Sequence, residues 1–284
     1  SFRLGRDNST SKLRIQDNFF RDSKADISGR VVLDGISVLK SSFIKVKDYK
    51  LETVAQQFLK QKKLISQQDK SKIDQIYKNN PKLLLDYNLK DAQLVYDIID
   101  KSQALDLTIT RSLLTGMPLD RVSASIASFD SVYLKKARDK KLVCPSGKFS
   151  DKPSPITGGF VMESKPGIYD NILVLDFKSL YPSLMMTFNL DPASYTGKRK
   201  EKNSIKSPNN VYFRNEDGIV PEIIKKLLEE RDKARKQKNE LARYAIKILL
   251  NSFFGIMASP SCRFFNMDFA NEITHFGQHI IKLT

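Results

Sequence analysis

Cysteine is scarce: the chain has two, Cys144 and Cys262, far apart in sequence. That excludes a disulfide framework and leaves no cysteine-based zinc site to expect, and a reducing cytoplasm suits such usage. Long apolar runs are lacking too. The longest, residues 245–257, is interrupted by Lys247, Asn251 and Ser252 and is too short to cross a bilayer. Residues 1–10 lack the charged stretch and apolar core of a secretory signal, so a soluble intracellular chain is expected. Acidic residues are the third shortage, with 32 Asp and Glu against 48 Lys and Arg and a formal net charge of +16. A polyanion is the partner such a surface attracts, a merely soluble basic surface being the plainer account.

What is present is enough for cores. With 284 residues and 40% hydrophobic content, one large or two ordinary domains are accessible, not a disordered tail. The absence of an initiator Met and a helical pattern still running at 280–284 suggest a piece of a longer protein. Near the start, residues 31–33 and 42–46 read as short strands, with Val38 and Leu39 between them. Leu51, Val54, Ala55, Phe58 and Leu59 have helical spacing; Ile73, Ile76 and Tyr77 repeat it, and Asn79-Asn-Pro81 closes it with a turn. Tyr87 and Asp91 share a helix face while Leu94, Val95 and Ile98 supply a buried stripe. Residues 104–139 read as two helices split at Gly116-Met-Pro118, with Leu105, Ile109 and Leu113, then Val122, Ile126, Phe129 and Val132, turned inward. Residues 135–152 are basic and loop-like and lead to Pro153, Pro155 and Gly158-Gly159. Pro221 opens an amphipathic helix carrying Arg231 and Arg235 one turn apart, and after a break near 237–240 a second helix carries Lys247, Asn251, Phe254 and Gly255 along one stripe.

The organising stretch is Asn171-Ile-Leu-Val-Leu-Asp176-Phe-Lys-Ser-Leu-Tyr181-Pro-Ser183. Its apolar residues 172–175 read as a buried strand that delivers Asp176 at its end, where a carboxylate is well placed to hold a metal. Ser179 caps a following helix, whose first turn then offers free amides to an anion. A cation site beside an anion site suggests phosphate chemistry.

Residues 176–183 resemble motif A of the family B DNA polymerases, D-x-x-S-L-Y-P-S, and Lys247-Ile-Leu-Leu-Asn251-Ser-Phe-Phe-Gly255 resembles motif B, K-x-x-x-N-S-x-Y-G, at the expected distance downstream. Leu4-Gly-Arg-Asp-Asn8, Leu51-Glu-Thr-Val-Ala55 and Cys262-Arg-Phe-Phe265 are most similar to the bacterial polymerase II branch, and the resemblance runs over nearly the whole chain. It implies template-directed nucleotidyl transfer to a primer 3′-hydroxyl by two-metal phosphoryl transfer with Mg²⁺, and an associated 3′–5′ exonuclease. Its partners would be primer–template DNA, deoxynucleoside triphosphates and a sliding clamp, with no membrane, in a bacterial cytoplasm at the nucleoid.

The resemblance also assigns roles. Asp176 is the catalytic carboxylate, with the Phe177 carbonyl as a second metal ligand and the amides near Ser179 and Leu180 on phosphate oxygens. Tyr181 lies under the sugar, where its ring leaves no room for a 2′-hydroxyl. Arg231 and Arg235 grip the γ-phosphate, Lys247 reaches the α- and β-phosphates, Asn251 meets the triphosphate or base pocket, and Phe254 with Gly255 forms a platform for the nascent pair. Tyr87 and Asp91 correspond to the third exonuclease motif, with Asp91 on metal; Gly158 and Gly159 approach the template backbone. The fold implied is mixed, helix-rich α/β: a partial ribonuclease-H-like exonuclease region, then a partial palm sheet with an inserted helical fingers hairpin. Residues 1–103 are the exonuclease part, 104–165 a helical connector and basic loop, 166–219 palm, 220–256 fingers, and 257–284 the start of a second palm segment.

The sequence departs from the family at several points. Motif B ends Phe254-Gly255 rather than Tyr-Gly, and Ile156-Thr-Gly-Gly159 stands for Tyr-x-Gly-Gly. The Tyr-x-Asp-Thr-Asp-Ser hairpin with the second catalytic carboxylate does not occur between Gly255 and Thr284, where Asp268 and Glu272 fall on a helical pattern. The upstream exonuclease carboxylates are also missing, and Asp34 in Asp34-Gly35 reads as a turn. The isolated chain is therefore expected neither to extend primers nor to proofread. A rival is a non-catalytic nucleic-acid module whose salt-sensitive binding to single strands ignores Mg²⁺ and Asp176. Another, a protein-primed or RNA-directed nucleotidyltransferase sharing motif A, is disfavoured in its RNA form by Tyr181.

Overall fold

The computed structural model describes residues 3–7, 9–15, 24–65, 73–147 and 158–284. The chain divides into two compact units, one of residues 1–112 with 118–123, the other of 113–117 with 124–284.

In the first unit β1 (Lys12–Arg14) and β2 (Lys24–Asp26) pair antiparallel, Leu13 opposite Ala25, with an Arg14–Asp26 ion pair across the ladder. The strands expected at 31–33 and 42–46 do not form. Asp34 instead caps α1 (Gly35–Ser41), accepting a hydrogen bond from the Ser37 amide at 2.8 Å, so it is structural as a helix cap rather than a turn. The 42–46 segment is drawn back onto the end of that helix, where the Ser42 amide donates to the Val38 carbonyl at 3.0 Å and the Ile44 amide to Leu39 at 3.3 Å. These bonds occupy the groups a strand would have used.

Next, α2 (Leu51–Leu59) buries Val54 and Ala55 and stops at Lys60, which is left-handed at φ 59°. The short α3 (Ile73–Asn79) precedes α4 (Pro81–Ser102), whose cap Asn80 accepts from the Leu83 amide at 3.1 Å while Pro81 opens the first turn. Leu94 and Ile98 enter the core, one helical turn apart, whereas Val95 is exposed, correcting the expected stripe. A larger correction concerns α5 (Ala104–Thr115). Leu105, Ile109 and Leu113 lie on its outer side; Ala104, Leu107, Thr108 and Arg111 are buried. Arg111 explains the inversion: its guanidinium donates to the Ser41 and Val122 carbonyls, both at 2.9 Å, so the inner face is built around a hydrogen-bonded cation.

The second unit begins its core with α6 (Ser125–Asp139), which buries Phe129, Tyr133 and Ala137. Because α6 runs to Asp139, the first residues of the expected basic loop at 135–152 are helical. The part at 148–157, including Ile156, lies outside the described residues. Then follow α7 (Leu180–Thr187) and a small antiparallel sheet of β3 (Tyr195–Gly197), β4 (Ile205–Lys206) and β5 (Tyr212–Phe213) in the order β3-β5-β4, with Phe213 opposite both Tyr195 and Ile205. Three long helices complete the unit: α8 (Ile219–Lys236), α9 (Glu240–Met257) and α10 (Met267–Leu283). Residues 172–175 do not form the expected buried strand; their side chains are 70–83% exposed. A strand needs a neighbour to satisfy its amides and carbonyls, and among the described residues neither sheet includes this segment.

Aromatic packing joins α6 to α9 and the turn before α10. The Phe129 and Phe253 rings meet edge-on at 5.2 Å and Tyr133 lies 4.4 Å from Phe264. The start of α8 is pinned by two polar residues after α7. Asp191, fully buried, accepts from the Val220 amide at 2.8 Å, the Ala193 amide at 2.9 Å and the Tyr133 hydroxyl at 3.3 Å. Asn189 accepts from the Gly218 amide at 3.0 Å and donates to the Arg214 carbonyl at 2.6 Å. Gly218 is required there, since a Cβ would stand 2.6 Å from Asn189 Oδ1.

Candidate functional site

Motif A enters the second unit as a turn wedged beside α8 and α9. Ser179 occupies the cap position of α7 in the left-handed region at φ 53°, but its side chain makes no capping bond. Instead, Arg231 on α8 donates from Nη1 to Ser179 Oγ at 3.2 Å. The turn is held internally by Ser183 Oγ on the Lys178 carbonyl at 2.9 Å, and a second link to α8 pairs Lys178 Nζ with Asp232 at 3.5 Å. Arg235 lies 3.4 Å from the same Asp232 oxygen, so both arginines singled out in sequence reach one edge of motif A, directly or through a carboxylate.

Tyr181 and Phe254 are brought together. Their rings stack at 4.9 Å with 21° between planes, tying α7 to α9. Tyr181 also fits against α10, where a Cβ on Gly277 would meet its Cε1 at 3.3 Å, and the position of a Gly159 Cβ is 3.4 Å from its hydroxyl. Gly158 accepts from Gln278 Nε2 at 2.7 Å, so the Gly158-Gly159 pair is fastened to α10 beside the tyrosine. On α9, Lys247, Asn251 and Gly255 form an exposed row, with Leu250 and Phe253 buried on the opposite side. Leu180 is half-buried in the core margin, while Asp176 and Phe177 are exposed at the end of 171–177. The cations Arg231, Arg235 and Lys178 and the stacked Tyr181–Phe254 rings thus border the same turn, at whose start Asp176 is exposed.

In the first unit Tyr87 and Asp91 do share a face of α4, and a third residue joins them. Lys63 Nζ is 2.6 Å from Asp91 Oδ2 and 5.0 Å from the Tyr87 ring centre. Burial pulls the Lys63 ammonium down, but the hydrogen bonds to Asp91 and Tyr87 outweigh it and its pKa rises. The other carboxylate oxygen of Asp91 is buried without a hydrogen-bond partner.

The donor set does not fit a pair of divalent cations. Asp91 offers one orphaned oxygen beside an ammonium, Asp176 stands alone, and among the described residues no group of three His, Cys, Asp or Glu could hold a metal ion. Lys63, Asp191 and Asp232 are not singled out by the sequence: Lys63 is one lysine in a basic run, Asp191 a lone acid between Leu190 and Pro192, and Asp232 one of three acids in a charged helix segment with Glu229 and Glu230 just before it. No helix of the described residues is long and apolar enough to cross a membrane.

Comparison with known proteins gives a consistent result. A family model described as DNA polymerase family B matches residues 122–284. DNA polymerase II of Escherichia coli (strain K12) is 36% identical over 290 residues, which is 99% of this chain and 36% of that protein. A DNA polymerase of Desulfurococcus sp. (strain Tok) is 28% identical over 304 residues, covering 100% of this chain and 38% of its own length. The chain therefore spans little more than a third of these relatives. Among solved structures, the family B DNA polymerase from the hyperthermophilic archaeon Pyrobaculum calidifontis superposes with a TM-score of 0.72 at 25% identity, covering 91% of this chain and 36% of that one.

Proposed function

The chain belongs to DNA polymerase family B, and from that premise we propose that it carries the nucleotide-binding part of a DNA-directed DNA polymerase. The observation that carries this reading is the convergence of motif A with both helices of the 219–257 hairpin: Arg231 on Ser179, and Phe254 stacked on Tyr181. An incoming deoxynucleoside triphosphate would lie along the exposed row of Lys247 and Asn251, its phosphates toward Arg231 and Arg235, its sugar over Tyr181 and its base near Gly255. Charge-assisted forked contacts suit arginine to phosphate, and a glycine lets a base approach the backbone. Asp176 is exposed and is the carboxylate assigned to the reacting end. Gly158 and Gly159, beside Tyr181, are assigned to the template backbone. Residues 1–103 are assigned to an exonuclease domain, with Tyr87, Lys63 and Asp91 as its contribution.

Because Asp176 is, among the described residues, the one carboxylate at the turn not already paired with a cation, Asp232 being held by Lys178 and Arg235, the 284-residue chain by itself binds nucleotide weakly and does not turn over. The deciding experiment is primer extension by the full-length protein that contains this sequence. Asp176→Ala should abolish extension while leaving helicity unchanged; extension that persists in the variant refutes the assignment.

A further inference from the structure

We propose that Asp232 is an internal stand-in for phosphate, holding the cations of motif A and α8 until a polyphosphate displaces it. The inference rests on the nucleotide reading above only in taking that polyphosphate to be a triphosphate tail.

One oxygen of Asp232, Oδ1, lies 3.5 Å from Lys178 Nζ and 3.4 Å from an Arg235 guanidinium nitrogen. A carboxylate oxygen bridging a cation of the motif A turn and a cation of the helix makes the contacts a phosphate oxygen would make. Next to it, Arg231 is held on the Ser179 hydroxyl, so the whole cationic edge is already arranged before any anion arrives. The other acidic side chains of α8 with recorded ion pairs face elsewhere: Glu222 pairs with Lys136 and Lys140, and Glu230 with Lys233 at 2.8 Å. Asp232 is thus the α8 carboxylate paired with motif A.

All three groups remain open to solvent, with side-chain exposures of 43% for Asp232, 66% for Lys178 and 60% for Arg235. Exposed pairs of this kind hold weakly, so a ligand with more charge and more oxygens can replace the carboxylate. Asp232 then has two effects. It keeps Lys178 and Arg235 from dispersing into solvent, and it makes weakly charged anions compete poorly for them. Removing its charge while keeping its shape frees both cations.

The test is calorimetric titration of the purified chain with inorganic tripolyphosphate in the absence of metal. Asp232→Asn should tighten binding roughly three- to tenfold at low salt, with the gain shrinking as ionic strength rises. Adding Arg235→Gln to that variant should return affinity to the wild-type value or below, and circular dichroism should show unchanged helix in each protein. Unchanged or weaker binding by Asp232→Asn, a gain that survives Arg235→Gln, or no binding by any of the proteins overturns the proposal. Asp176-dependent primer extension with an unchanged Asp232→Asn titration sinks this inference alone. A tightened titration in a protein that extends no primer keeps it and removes the polymerase reading.

Discussion

Asp7 is an exposed carboxylate held by hydroxyls and backbone amides. Its side chain accepts from Ser28 Oγ and Ser9 Oγ, and from the Ser9 amide at 2.9 Å, fastening the 4–7 loop to residues 27–30. The Ser28 hydroxyl foremost, then the two Ser9 bonds, lower its pKa from 3.8 to about 2. The sign follows from linkage: a depressed folded-state value gives stabilisation present above 3.8 and lost as pH falls through about 2. The Asp7 carboxyl carbon should titrate in NMR with a midpoint near 2, and Ser28→Ala should move that midpoint up toward 3.8; an unmoved midpoint removes Ser28 as the cause. Local chemistry of this order was partly legible in sequence. Asp34 reads as structural because Asp beside Gly bonds its own backbone, yet Ser179, which holds the cap position of α7, makes no side-chain capping bond. A serine with helix following is open to any donor the fold supplies, and the donor at Ser179 comes from α8, fifty-two residues on. Lys63 was hidden likewise, since nothing local distinguishes it from Lys60 or Lys62.

At the scale of elements, helices were legible and strands were not. The periodicity of α2, α8 and α9 reflects burial on one face, which each helix satisfies with its own hydrogen bonds. Residues 172–175 carry an equally clear apolar run, but a strand's order depends on a partner, and among the described residues none is hydrogen-bonded to it. The face of α5 was misread because its inner side is lined by Thr108 and Arg111, whose polarity is satisfied only in the folded unit. The element most relevant to the site is α8, whose entry depends on Asp191. Burial, opposed by its amide bonds, raises the pKa of this carboxylate. Replacing Asp191 by Ala would leave the Val220 amide, the Ala193 amide and the Tyr133 hydroxyl without their acceptor. With buried unsatisfied donors costing about 1–3 kcal/mol each, partly relieved by relaxation and water, the variant should lose on the order of 3 kcal/mol. Denaturant unfolding reads this directly; a loss below about 1 kcal/mol would mean that α8 starts without Asp191's help.

Over the whole molecule, charge and motif order are the features legible without any contact. A formal charge of +16 favours nucleic acid in general, and motifs A and B narrow that to a polymerase. Charge alone cannot separate a polymerase from a passive binder, because both neutralise phosphates with lysine and arginine. The two readings diverge when salt and nucleotide are varied together. If about five phosphates are neutralised, primer–template affinity should fall by a few hundredfold between 50 and 200 mM salt, whichever reading holds. A polymerase surface adds a second dependence, since a nucleotide seated between Arg231, Lys247 and the Tyr181–Phe254 stack joins the protein to the template through base pairing. Anisotropy titrations of the full-length protein should therefore show tighter primer–template binding with the complementary deoxynucleoside triphosphate than with a mismatched one. That preference should vanish in Lys247→Ala, while the slope against salt changes by no more than about one phosphate. A salt slope of the expected size with equal affinity for both nucleotides would instead describe a surface that grips DNA without reading it.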